Sequence, residues 1–94
     1  MIFKDYTSKA DSLMKEGRAA EATEKLKLAM QDNPKKYAYD VANIYLLGLM
    51  LDEALAVFKT YYDVTGKKLK SEYDEDYIRH EIQKRDEIIS NGSI

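Results

Sequence analysis

Apolar residues recur at spacings of three and four along most of the 94-residue chain. In the first stretch they stand at Phe3, Tyr6, Ala10, Leu13 and Met14. This spacing places apolar side chains on one face of an α-helix, and that face is then expected to be buried. No segment shows the sustained two-residue alternation that is typical of a strand. The pattern therefore predicts an all-α fold.

Glycine, proline and polar connectors divide this helical sequence. Gly17 offers the positive φ that ends a helix at little cost, and Asn33-Pro34 stops the helix that follows. Asp52 is placed where a carboxylate favours the start of a helix, and Gly66 lies in a polar connector. The predicted helices are residues 3–15, 19–31, 36–47, 52–62 and 71–89.

The sequence also repeats itself with a period of about 32 residues. When the two halves of the repeat are aligned so that Ala22 matches Ala54, Ala10 matches Ala42. Small residues therefore recur where two helices would touch. Small side chains let helix backbones approach closely, while larger ones at the other offsets fill the remaining space. The alignment predicts two antiparallel helix pairs, residues 3–34 and 36–66, followed by a capping helix at 71–90, in a single domain spanning 1–94. Met1 favours a whole protein over a fragment.

This pattern resembles the tetratricopeptide repeat, a 34-residue helix pair with small, large and aromatic residues at set offsets. The resemblance covers about two thirds of the chain and is carried by Tyr6, Ala10, Leu13, Gly17, Ala22, Leu26, Ala29, Pro34, Ala42, Tyr45, Ala54 and Phe58. The second repeat departs further from the family. Gly48 sits one place early, Tyr61 occupies a usually small position, and Gly66 stands where the proline would be. The resemblance implies a five-helix α-solenoid with a capping helix.

Members of this family bind extended or helical peptides in a concave groove lined by the first helix of each pair. The resemblance therefore implies a protein–protein interaction scaffold, such as an adaptor or co-chaperone, whose partner is a protein or peptide. The implied groove residues are Lys4, Thr7, Asp11, Met14, Lys15, Lys36, Tyr39, Asn43, Leu46 and Leu47.

The groove chemistry argues against one well-known ligand. A subfamily holds the C-terminal carboxylates of heat-shock chaperones with lysines and asparagines, and the matching positions here are Thr7, Asp11, Asp40 and Asn43. Asn43 alone fits, and the two acids would repel a carboxylate. An apolar or partly basic peptide suits this surface better.

Composition excludes several other classes of function. The formal net charge is −2, from 15 basic and 17 acidic residues, so no basic field attracts nucleic acid. The chain has no cysteine, which excludes thiolate metal sites and suits a reducing cytoplasm. No apolar run is long enough to cross a membrane, and the first residues lack the order of a signal peptide. We therefore expect a cytoplasmic protein with no nucleic-acid or membrane partner.

Catalytic and metal-binding signals are weak. His80 is the only histidine, and no nucleophile and base arrangement, cofactor loop or metal-ligand set stands out. The acidic run at 72–76 is better explained by a helix N-terminus than by a cation site. We expect no enzyme activity, no cofactor and no metal.

Two other functions stay open beside peptide binding. The apolar run formed by Leu46, Leu47, Leu49, Met50 and Leu51 is more than two repeats are expected to bury, which favours a self-assembly module forming a homo-oligomer. The second alternative is a dedicated chaperone for a secretion or assembly subunit, by analogy with other small proteins of this repeat type.

Overall fold

The computed structural model describes residues 6–70 and 74–92, with side chains described as far as Ile89. Within these ranges the chain forms helices and no strands, so the predicted all-α class is confirmed. The helices are α1 (Tyr6–Lys15), α2 (Ala19–Asp32), α3 (Pro34–Leu47), α4 (Leu51–Thr65) and α5 (Glu75–Gly92). Each lies within a few residues of its predicted bounds. The predicted helical residues 3–5 and 71–73 lie outside the described residues.

Local side-chain chemistry explains where the helices begin and end. Asn33 separates α2 from α3, and its Oδ1 accepts a hydrogen bond from the Lys36 backbone N–H at 3.1 Å, as an N-cap should. Pro34 follows at the first helical position, where its missing N–H costs nothing. At the other end of the second pair, Gly66 takes a left-handed conformation with φ 73° and ends α4.

The helices pack as two pairs and an appended fifth helix. Helix α1 folds back on α2, and α3 folds back on α4. Helix α3 also contacts both α1 and α2, which joins the two pairs through one core. Within the described part of the chain, α5 contacts α4 and no other helix. The second pair therefore lies between the first pair and α5.

Alanine occupies the closest helix contacts in both pairs. Ala10, Ala22, Ala42 and Ala54 are all fully buried. These are the four alanines that the sequence alignment sets over one another, so their predicted burial is confirmed. The larger residues Leu26 and Phe58, also aligned, are buried beside them. Small and large side chains thus alternate along the contacts, as close packing of helices requires.

The two helix-pair turns use the same hydrogen bonds, 32 residues apart. The first turn has Gly17 N–H to the Met14 carbonyl and Arg18 N–H to the Leu13 carbonyl; the second has Leu49 N–H to the Leu46 carbonyl and Met50 N–H to the Tyr45 carbonyl. All four bonds are between 2.9 and 3.1 Å long. The repeat seen in the sequence is therefore present in the backbone of the turns.

The second turn places a leucine where the first has a glycine. Gly17 has φ 79° and its equivalent, Leu49, has φ 58°, while the neighbouring Gly48 is at φ −89°. Leu49 is the only residue other than glycine with a positive φ in the described part of the chain. The left-handed conformation crowds a Cβ against the backbone, so this turn is strained at Leu49.

Gly48 has a packing role instead. A Cβ built at this position would overlap the sulfur of Met14, which is buried between the two helix pairs. The glycine therefore allows α1 to approach the end of α3. In the sequence Gly48 sits one place before the position that aligns with Gly17, and in the structure the left-handed conformation falls on the aligned residue, Leu49.

Helix α5 is attached through few contacts. Ile78 is fully buried against the rest of the core, and Ile82 is half-buried. Arg85 Nη1 lies 3.3 Å from Asp52 Oδ2, which joins α5 to the start of α4. The side chains of Tyr62 on α4 and Tyr77 on α5 are each about half exposed.

Replacing Leu49 with glycine should stabilise the fold. The change removes the Cβ that is crowded in the left-handed region and loses little packing, because Leu49 is 80% exposed. We expect a gain of about 1 kcal/mol in the free energy of unfolding, measured by urea denaturation of dilute protein. Leu49→Ala is the control, since it keeps the Cβ and should give no such gain. Equal effects of the two substitutions on the free energy of unfolding would contradict backbone strain at Leu49.

Replacing Gly48 with alanine should destabilise the fold by about 1 to 3 kcal/mol, because the new methyl group displaces Met14. The same change made in a Met14→Ala background should cost much less, since the overlapping sulfur is gone. A double-mutant cycle of unfolding free energies measures this coupling. Additive effects would show that the two residues do not press on each other.

Candidate functional site

Helices α1 and α3 lie side by side and are joined at both ends. Near their starts, the Tyr6 and Tyr37 rings meet edge to face with centroids 6.0 Å apart. Near their ends, Met14 packs against Gly48. Between these contacts Ala10 and Ala42 are fully buried. The outer faces of the two helices therefore form one continuous strip, which we call the α1–α3 surface.

Eight of the ten predicted groove residues lie on these two helices with at least part of the side chain exposed. They are Thr7, Asp11 and Lys15 on α1, and Lys36, Tyr39, Asn43, Leu46 and Leu47 on α3. Met14 is different, because its side chain is buried against Gly48 and belongs to the core. Lys4 lies outside the described residues.

Charged groups on the α1–α3 surface make local contacts. The Lys15 ammonium lies 2.9 Å from Asp11, one helical turn away, and the Lys36 ammonium lies 5.2 Å from the centre of the Tyr37 ring. The Asp11–Lys15 pair is exposed, and the Lys36 ammonium is exposed above the buried Tyr37 ring, so both contacts contribute little to stability. They can therefore be exchanged for contacts with a ligand at small cost.

Asn43 is the unusual polar residue of the site. Its Oδ1 atom is buried, yet it accepts no hydrogen bond from any protein group. A buried acceptor without a donor costs about 1 to 3 kcal/mol, so such atoms are rare in native proteins. Its position in the middle of α3 leaves it between apolar neighbours, Tyr39 and Leu46 to Leu47 among them. The sequence identified the residue but gave no sign that its oxygen lacks a partner.

Burial affects the chemistry of a residue beneath this surface. Tyr45 belongs to α3, and its side chain lies in the core. Its burial, with a smaller contribution from the Glu53 carboxylate, raises the pKa of its hydroxyl. In the described part of the chain, no three His, Cys, Asp or Glu side chains are grouped as a metal ion would require.

A concavity that the sequence did not predict lies between α4 and α5. Its volume is about 920 Å³, and its apolar floor includes Leu55, Phe58 and Tyr62. Lysines from α4 and the connector line it together with acidic residues from the start of α5. Its lining residues carry both signs of charge, and none of the described residues among them has a buried side-chain polar atom without a hydrogen-bond partner. The α1–α3 surface is the better-defined candidate.

Comparisons with known proteins give no further identification. No family model matches the chain, and neither a curated protein nor a solved structure matches it. The resemblance to tetratricopeptide repeats therefore stays a prediction. As for membranes, none of the helices in residues 6–70 and 74–92 combines the length and apolar character that crossing a bilayer requires.

Replacing Asn43 with leucine should stabilise the unliganded protein. Leucine has nearly the same size, forms helix more readily and removes the unpaired buried oxygen. We expect the free energy of unfolding in urea to rise by about 1 kcal/mol. Asn43→Asp, which buries a carboxylate at the same place, should lower it. A lower stability for Asn43→Leu would show that the oxygen is already satisfied.

Proposed function

We propose that this protein is a small protein–protein interaction scaffold of the tetratricopeptide-repeat type, in which the α1–α3 surface binds an extended segment of a partner protein. The observation that carries the proposal is the buried, unpaired Oδ1 of Asn43 in the middle of that surface. A turn of the Asn43 amide about its χ2 bond would bring this oxygen to the surface, where a backbone N–H group of a peptide lying across it would supply the missing donor. Binding would then recover the free energy that the empty site loses.

The repeated architecture supports the assignment to this repeat type. Two helix pairs carry the same buried alanines and the same turn hydrogen bonds at a period of 32 residues. Helix α3 packs against both helices of the preceding pair, which is how consecutive repeats share a core in solenoids. The arrangement leaves the first helix of each pair side by side, where a groove would run.

The side chains around Asn43 suggest the chemistry of the partner segment. Tyr39, Leu46 and Leu47 offer apolar area, and Asp11 and Asp40 offer carboxylates on either helix. An internal segment with apolar and basic side chains fits these groups, whereas a C-terminal carboxylate would be repelled. We propose binding without catalysis, in the cytoplasm, where a chain without cysteine is well suited.

The experiment is a selection from displayed random peptides held at both ends, so that no free carboxylate is presented. Wild-type protein should enrich sequences with apolar and basic residues. These peptides should bind Asn43→Ala and Leu46→Ala at least about tenfold more weakly, which corresponds to about 1.4 kcal/mol, by isothermal titration calorimetry.

Leu28→Ala is the matched control, because Leu28 is a partly exposed leucine on α2, away from the α1–α3 surface. It should bind the selected peptides as well as the wild type does. Circular dichroism confirms that each variant is folded. Peptides that bind the Asn43 and Leu46 variants with unchanged affinity would disprove the proposed surface.

A further inference from the structure

One end of the molecule carries four exposed apolar side chains from two separate elements. Leu47 and Leu49 lie at the α3–α4 turn, where they are 51% and 80% exposed. Ile88 and Ile89 lie in the last part of α5 and are 70% and 62% exposed. We call these four residues the apolar end.

The ion pair between α4 and α5 brings the two elements together. Arg85 lies beside Asp52, and Asp52 is the second residue of α4. Ile88 and Ile89 follow Arg85 by about one helical turn, or roughly 5 Å. They therefore extend past the start of α4, to the level of the turn that contains Leu49.

The apolar stripe of α5 continues beyond the helix that covers it. Ile78, Ile82 and Ile89 are spaced by four and seven residues, so they lie on one face of α5. Ile78 is fully buried and Ile82 half-buried, whereas Ile89 is mostly exposed. The stripe is thus covered as far as α4 reaches and uncovered after it.

Leu49 carries two costs at the same position. It holds the left-handed conformation that glycine takes in the first turn, and it exposes most of an apolar side chain to water. Glycine there would remove both costs. Strain retained in this way points to a contact that the isolated chain does not make.

We infer that the apolar end is a contact between two copies of this chain. A two-fold axis through the end would place Leu49 of one copy against Ile88 and Ile89 of the other, and the reverse contact would form at the same time. Each copy supplies both halves, so no other protein is required.

The area available sets the expected strength of this contact. Four largely exposed side chains with their surroundings would bury on the order of 1,000 Å² in total, which is the lower limit for a specific interface. A dimer of this size is reversible, with a dissociation constant in the micromolar range or weaker. The proposal does not rest on peptide binding. Leu47 is the one residue that the apolar end shares with the predicted groove, and the tests below change Leu49 and Ile88 instead.

Sedimentation velocity across the micromolar concentration range tests the inference. The wild type should shift from monomer to dimer as its concentration rises. Leu49→Gly and Ile88→Ser should each weaken the association at least tenfold. Leu49→Gly is the sharper variant, because it should weaken the dimer while it stabilises the monomer fold. Val64→Ser, at a similarly exposed apolar position near the other end of α4, should associate as the wild type does.

Disulfide trapping gives a second measurement that does not depend on affinity. The chain has no cysteine, so Leu49→Cys and Ile88→Cys variants each carry a single thiol. Mixed and oxidised, they should form the mixed disulfide faster than either forms it with Val64→Cys. A wild type that stays monomeric, a dimer that survives both Leu49→Gly and Ile88→Ser, or trapping without preference would each overturn the inference.

Discussion

Close approach of helix backbones is the constraint on which this structure depends. It is possible because four alanines, Ala10, Ala22, Ala42 and Ala54, lie fully buried at the contacts within and between the helix pairs. Gly48 extends the same principle to the end of α3, where it accommodates the sulfur of Met14. A chain of this length buries only a modest share of its surface, so tight contacts between few helices must supply the stability.

The same close contacts determine which residues remain for binding. Since Ala10 and Ala42 hold α1 and α3 together from behind, the outer faces of these helices become neighbours along their length. Asn43 is then held at a fixed depth, with its oxygen shielded from water and without a donor. In the binding role proposed for this surface, the unpaired oxygen is a cost to the folded chain that binding would offset, a trade between stability and function that binding sites commonly show.

Periodicity made the helices, the buried alanines and the first turn predictable from the sequence. Residue type alone could not show which residue of the second turn adopts the positive φ, because Gly48 and Leu49 are adjacent and glycine is the usual choice for that conformation. Met14 was predicted to line the groove but lies in the core, for a related reason. Helical spacing shows which residues share one face of a helix. Whether a residue on that face is buried depends on where the neighbouring helix lies and where it ends. The unpaired oxygen of Asn43 depends on three-dimensional packing and leaves no trace in the sequence.

Helix α5 shows how the length of one element can create a surface on another. Its apolar stripe extends past the start of α4 by about one turn, since Arg85 already lies beside the start of α4 and the stripe continues to Ile89. In a longer array the next helix pair would cover such a stripe. Here the uncovered part lies beside a strained leucine at the α3–α4 turn. Two unrelated costs at the same end of the molecule, one of hydration and one of backbone conformation, would both be offset by the contact with another copy that we infer.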